Sequence, residues 1–359
     1  MGIVIYASGT SPNLPEYTFY GGAERLVFEK DTWTWYRCNE DGTRTKLYGV
    51  TGVLKIIAKE ALIPWAVKMA LARCKQLLVE GGYVGEDTKK LFESVLDDIL
   101  AKAKKADSEI LSDAGNVGHE AHQFLEDYVN ATIHHNEERR FELLAKFPID
   151  ERAANCVIAG LEFFYKHNVR FICAERPVYS RELKCCGTLD NLALTDSCDD
   201  VTCCPVPHKD SLTLIDYKTS NYLYASYLAQ AAIYQKSYQE ETVKHIERRF
   251  ILRLGKTEAE FESWHMAGDQ IYEEDLTLYR HALGLYKSVH LVEDRLSSIR
   301  QIQAAARRAL AKEIRDAEHA ICCPESAKYK GVRKKKCNGT DHPCEACKKI
   351  FLDKHPEVG

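Results

Sequence analysis

The feature that most constrains this chain is a change of hydrophobic period near residue 170. From Thr51 to about Lys166 the apolar residues recur at helical spacing. Pro64 suits a first turn, Gly81-Gly82 breaks the pattern, and Pro148 precedes a further helix expected to run to about His167. Beyond it, Phe171–Tyr179, Cys185–Leu194 and Ser211–Asp216 are short β-rich runs separated by turn-like or cysteine-rich linkers. A helix over about Tyr222–Glu240 and a hairpin of Val243–Leu254 with Ala259–His265 follow. Helices, then three strands, then a helix and a hairpin must pack as helices on a sheet, so an α/β core with a helical wrapping is expected. Residues 1–50 read as an N-terminal β-hairpin region, with strands at Arg25–Lys30 and Thr32–Cys38 and a turn at Asn39–Gly42. Beyond Tyr272 an apolar stripe (Leu276, Tyr279, Leu283, Tyr286, Val289, Leu296, Ile299, Ile302, Leu310, Ile314) predicts a core-facing helix pair or one long helix.

Composition narrows the class. At 45% hydrophobic and 28% charged residues, the chain has the make-up of a globular protein able to bury a sizeable core. No apolar run approaches the ~18–20 residues of a membrane span. The start, Met1 to Ser8, lacks a basic segment and a long apolar stretch, so no secretory signal and a cytoplasmic setting are expected. The formal net charge of -4 gives no bulk attraction to nucleic acid, so any such contact must come from local basic patches. In that setting the 14 cysteines suit free thiols or metal ligands better than a disulfide framework.

The densest chemical signal is Leu214-Ile-Asp-Tyr-Lys-Thr-Ser220. Strand side chains alternate faces, so Asp216 and Lys218 point the same way, roughly 7 Å apart, with Tyr217 opposite. Taken alone this is as well explained by a surface ion pair. The preceding strand adds a second carboxylate in Gly187-Thr-Leu-Asp190. Two strand carboxylates beside a lysine are what a hard divalent cation with open coordination positions requires.

Glu175-x-Pro177, Gly187-Thr-Leu-Asp190, Asp216-Tyr-Lys218 and Gln230-x-x-x-Tyr234 occur in the order and approximate spacing of RecB-type nucleases. Upstream, Gly118-His-Glu-Ala-His122-Gln-Phe-Leu-Glu126 is similar to that branch's helical G-x-x-x-H-x-x-x-E signature. Tyr48-Gly-Val-Thr-Gly-Val-Leu with Leu62-Ile-Pro-Trp65 looks like the N-terminal region of phage-encoded members. Over residues 25–240 the chain therefore resembles the PD-(D/E)XK superfamily, RecB and lambda-exonuclease branch. The resemblance implies a restriction-endonuclease-like core, a mixed sheet flanked by helices, spanning residues 51–320. It also implies magnesium- or manganese-dependent hydrolysis of DNA phosphodiester bonds, as an exonuclease in phage-type recombination, replication or repair.

The same resemblance implies residue roles. His122, Asp190, Asp216 and the main-chain carbonyl of Tyr217 would hold the metal. Lys218 would orient or activate water and neutralise phosphate charge, a task for a compact cation. Glu175 would sit at the edge of the site, and Gln230 would hold the lysine or the substrate strand. Tyr234 would touch DNA or simply pack, and Glu126 would orient His122 or face solvent. DNA is the implied partner, with a single-strand annealing or recombination protein as a second one; an oligomer is compatible with this. A CRISPR-adaptation-like nuclease with an iron–sulfur cluster is a near alternative. A catalytically silent DNA-binding subunit is a distant one, disfavoured by the intact Asp190, Asp216 and Lys218.

Other motifs are weaker. His119-Glu-Ala-His122 spaces its histidines three apart, whereas a zinc protease helix needs them four apart. Arg139-Arg140, Arg248-Arg249 and Arg307-Arg308 either guide a phosphate backbone or form ordinary surface. Tyr222, Tyr224 and Tyr227 either stack on a base or pack the next helix. The cysteines fall mainly in two groups. Cys185, Cys186, Cys198, Cys203 and Cys204, with His208, lie in and beyond the expected second strand. In the basic tail, residues 321–359, Cys337-x6-Cys344-x2-Cys347 has a knuckle that suits zinc or an iron–sulfur cluster. Cys322, Cys323 or an upstream residue such as Cys74 or Cys38 would supply its fourth ligand.

Overall fold

The computed structural model describes residues 15–57, 62–81, 99, 102, 103, 105–322, 349 and 353. They fall into two units, 1–286 and 287–359.

The first unit opens with a small antiparallel sheet, β1 (Glu16–Phe19), β2 (Glu24–Glu29), β3 (Thr34–Cys38) and β4 (Arg44–Lys46), paired in that order. The expected hairpin is thus the centre of a four-stranded meander. Phe19, Leu26, Trp35 and Leu47 pack it onto Tyr179 and Cys186. The chain then enters the main sheet through β5 (Tyr48–Gly49) and turns into α1 (Val50–Leu54).

The expected helical stretch holds α2 (Leu62–Glu80), α3 (Ala106–Ile133), α4 (Glu137–Ala145) and α5 (Glu151–Lys166). Asn136 and Asp150 cap the last two by accepting hydrogen bonds from the Arg139 and Arg152 amides. The three β-rich runs are β6 (Arg170–Ser180), β7 (Cys185–Thr195) and β8 (Ser211–Lys218), all antiparallel neighbours. Helix α6 (Ala225–Thr242) crosses over to β9 (Arg248–Leu254), parallel to β8, and β10 (Phe261–Ala267) closes the edge as a hairpin. The sheet is therefore mixed, with the order β10-β9-β8-β7-β5 and β6 on β7.

Helices cover both faces. On one, α6, α1 and the start of α7 (Asp269–Cys322) pack Ala232, Ile233, Val53, Tyr279 and Leu283 against Leu189, Leu192, Leu214 and Ile251. On the other, Leu125 of α3 and Phe163 of α5 meet Ile215, Tyr217, Phe250 and Leu252. Leu214 faces one layer, Ile215 and Tyr217 the other, as strand alternation requires. The buried Arg249 on β9 holds α7 through Asp275 at 2.9 Å.

The C-terminal stripe forms one helix, but only its first part is core. Leu276, Tyr279 and Leu283 are buried, whereas Val289, Leu296, Ile299, Ile302 and Leu310 are exposed. Among the described residues no helix is long and apolar enough to cross a membrane. Cys323, Cys337, Cys344 and Cys347 lie outside the described residues, and Cys322 ends α7.

Candidate active site

The site lies where the main sheet fails to close. One edge of β7 is paired throughout by β6, from Ser180↔Cys185 to Arg170↔Leu194. The other edge is shared. β5 pairs with Cys185 and Cys186, and β8 pairs with Asn191–Thr195. Among the described residues Gly187–Asp190 has no strand partner on that edge, because β8 leaves the ladder after Asn191↔Ile215 and continues to Lys218 against β9.

Side chains fill the gap. Asp190 Oδ2 accepts the Tyr217 amide at 2.6 Å, taking the place of the missing ladder bond. In an extended strand a residue's N–H and C=O point to the same side, so the Tyr217 carbonyl faces the gap as well. Asp216 and Lys218 share a face, as their spacing predicts, and the Lys218 ammonium contacts the fully buried Asp216 carboxylate. Among the described residues Asp216 Oδ1 has no hydrogen-bond partner.

Glu175 reaches the same place by an irregular backbone. Its φ is +43°, left-handed in the middle of β6, at the point where the ladder passes from Ala174↔Asn191 to Arg176↔Leu189. Such a conformation costs a non-glycine residue on the order of 1–3 kcal/mol and concentrates at functional sites. Its carboxylate joins His122 and Asp190 in a cluster whose ligand atoms all lie within 4.8 Å of one another.

His122 arrives from α3, 3.9 Å from Asp190 Oδ2 and edge-on to the Tyr217 ring. Gly118, one helical turn earlier on the same face, makes this approach possible. A Cβ there would lie 2.5 Å from the Thr219 hydroxyl just past β8. Gly187 serves β7 similarly: a Cβ would lie 2.4 Å from the buried Tyr234 ring. These contacts give physical reasons for the glycines in both motifs.

Burial and mutual proximity shift the charges of these groups. Burial, reinforced by Asp190, Glu126 and Asp216, pushes the Glu175 carboxyl up to about 8. Burial lifts Asp216 to about 6 despite the adjacent lysine, and it raises Asp190 too. Burial, then the Lys218 charge, lowers His122 to about 4, leaving a neutral imidazole with a free lone pair. Burial opposes the charge on Lys218, but Asp216 and Asp190 outweigh it and hold the ammonium above its ordinary range. Crowded carboxylates, an orphaned buried oxygen and a neutral imidazole are a fitting donor set for a divalent cation.

Not every expected residue joins this cluster. Gln230 donates to the Tyr234 hydroxyl at 3.0 Å. Tyr234 is 2% exposed and packs against β7, so of its two expected roles it takes the packing one. Glu126 accepts from Gln123 at 3.2 Å, and not from His122. His119 is an exposed helix residue. Tyr227 places its ring 5.0 Å from the Lys218 ammonium, the lysine partner that spacing alone did not pick out. Arg139 and Arg140 pair with Asp127, Glu142 and Glu137, Arg249 is buried, and Arg248 bonds Ser211 and His265.

Neither models of known protein families nor curated proteins give a match to this chain.

Proposed function

We propose that this chain is a divalent-metal-dependent deoxyribonuclease of the PD-(D/E)XK superfamily, RecB and lambda-exonuclease branch. The observation that carries the reading is the meeting of Glu175, Asp190, Asp216, Lys218 and His122 at one gap in a mixed sheet flanked by helices. The order of those residues along the chain and the two close-approach glycines agree with it.

Hydrolysis of a phosphodiester places negative charge on the non-bridging and leaving oxygens. Asp190, Asp216, His122 and the Tyr217 carbonyl would hold magnesium or manganese, which would supply Lewis-acid charge for that step. The protein's own share follows from the geometry. Asp216 and Tyr227 hold the Lys218 ammonium beside the carboxylates, where it donates to a phosphate oxygen or orients the attacking water. Asp190 braces the strand end through the Tyr217 amide, and Glu175 offers a further carboxylate beside Asp190 and His122.

The activity proposed is exonucleolytic, in recombination, replication or repair, with DNA as substrate and a single-strand annealing or recombination protein as a working partner. The test is digestion of DNA carrying a label at one end or the other, in single- and double-stranded form, with magnesium or manganese. Progressive shortening by the wild type and none by Lys218→Ala is the expected result. Equal cleavage by both proteins, or none by either, removes the assignment.

A further inference from the structure

A second cluster of metal-ligating side chains lies outside this site. The connection from β7 to β8, residues 196–210, carries no helix or strand. Segments of that length without regular structure are uncommon inside a compact unit unless something holds them. Here the connection brings Cys198, Cys203 and Cys204 to the C-terminal end of α5, where His167 caps the helix. The three sulfurs and a ring nitrogen all lie within 4.8 Å of one another.

We propose that His167, Cys198, Cys203 and Cys204 form a structural zinc site. The donor set, three thiolates and one imidazole, is a four-ligand set of the kind that closed, tetrahedral zinc sites use. Zinc–sulfur bonds of about 2.3 Å put tetrahedral ligand atoms roughly 3.8 Å apart, a spacing compatible with a cluster whose ligand atoms all lie within 4.8 Å of one another. His167 is fully buried, and its Nδ1 lies 2.9 Å from the Phe163 carbonyl. That bond makes Nδ1 the protonated nitrogen and turns the Nε2 lone pair toward Cys203 Sγ, 3.2 Å away. The Ser263 hydroxyl on β10 lies 3.0 Å from the same sulfur and donates to it as a thiolate.

Adjacent cysteines usually diverge, and here a turn brings them together. The Cys203 and Cys204 amides both donate to the Asp200 carbonyl, and Asp200 Oδ1 accepts from the Thr202 amide and hydroxyl. His208, which lies in the same stretch of sequence, is not among the four ligand residues. The His208 ring instead bonds Thr195 and the Val206 carbonyl. A zinc ion at this point ties the β7–β8 connection to α5 and β10, supplying ordering energy that few apolar side chains in the segment can give. The proposal stands independently of the nuclease reading.

The test uses the full chain, expressed without a metal-affinity tag and dialysed against EDTA to strip weakly held ions. Elemental analysis is run on wild type, on a variant with Cys322, Cys323, Cys337, Cys344 and Cys347 all changed to Ser, and on Cys198→Ser/Cys203→Ser. At least half an equivalent of zinc in the tail variant is the expected result. Cobalt loaded in place of zinc should give that variant thiolate-to-metal charge-transfer absorption, which carboxylate ligands cannot produce. The same two loop changes made in the tail variant should abolish that absorption; if that protein does not fold, the tail variant decides alone. Less than half an equivalent of zinc in the tail variant, no thiolate–cobalt band, or a disulfide among Cys198, Cys203 and Cys204 in freshly purified reduced protein overturns the proposal.

Discussion

Gly187→Ala is the sharpest test of how the active-site strand is seated. The added Cβ would lie 2.4 Å from Tyr234 Cε1 and 3.0 Å from its Cζ and hydroxyl oxygen. Ordinary contact begins near 3.4 Å, so β7 or the ring must move by about 1 Å. The ring cannot swing into solvent, being buried and bonded to Gln230. Overpacking of this kind costs roughly 1–3 kcal/mol. Asp190 sits three residues further along β7, and a displacement near 1 Å at reacting groups lowers rates on the order of 100-fold. Tyr234→Leu removes the obstructing ring and, alone, costs roughly 2–4 kcal/mol as a large-to-small change. Combined, the two should destabilise by at least about 1 kcal/mol less than their sum, because each relieves the other. Urea unfolding of the four proteins measures the coupling, and DNA cleavage measures the displacement. Additivity within about 0.5 kcal/mol, or a Gly187→Ala protein with wild-type stability and activity, refutes the packing argument.

Other outcomes follow from the same structure. Lys218→Ala should lower cleavage at least about 100-fold while the circular dichroism spectrum stays that of wild type, since it removes charge the transition state needs. Arg249→Met should destabilise by about 3–5 kcal/mol by leaving Asp275 without its partner, and adding Asp275→Leu should recover most of the loss on urea unfolding. Burial, then the Arg248 charge, holds His265 down at about 4 from an ordinary 6.5. Because that pKa is depressed on folding, its contribution is complete above pH 6.5 and is lost as pH falls toward 4. Allowing for its partial exposure, the loss is on the order of 1–2 kcal/mol. His265→Gln should flatten that part of a stability–pH profile, and an unchanged slope would contradict the assignment.

The core was legible where a local pattern reports directly on burial. The strand runs at Phe171–Tyr179, Cys185–Leu194 and Ser211–Asp216 lie within β6, β7 and β8, and Asp216 and Lys218 share a face because strand period allows nothing else. What stayed hidden was non-local. Strand β5 is two residues long, too short for any period, yet its pairing with Cys185 and Cys186 bounds the gap that makes the site. The left-handed Glu175 leaves no sequence trace, since glutamate carries no preference for that conformation. His167 stands on a different element from the cysteines it joins, so no spacing rule connects them. The apolar stripe of α7 continues past Tyr286 without burial, which periodicity alone cannot reveal.

The central claim is that His122 and Asp190 of the cluster, with Asp216 beside it, bind a divalent cation to cleave DNA. Its most direct test is cleavage by wild type and by Asp216→Asn, each stripped with EDTA and then supplied with magnesium or manganese. The account predicts no cleavage by stripped wild type, recovery on adding either ion, and no recovery by Asp216→Asn. Full activity in excess EDTA, or restoration of Asp216→Asn to the wild-type rate, would contradict it.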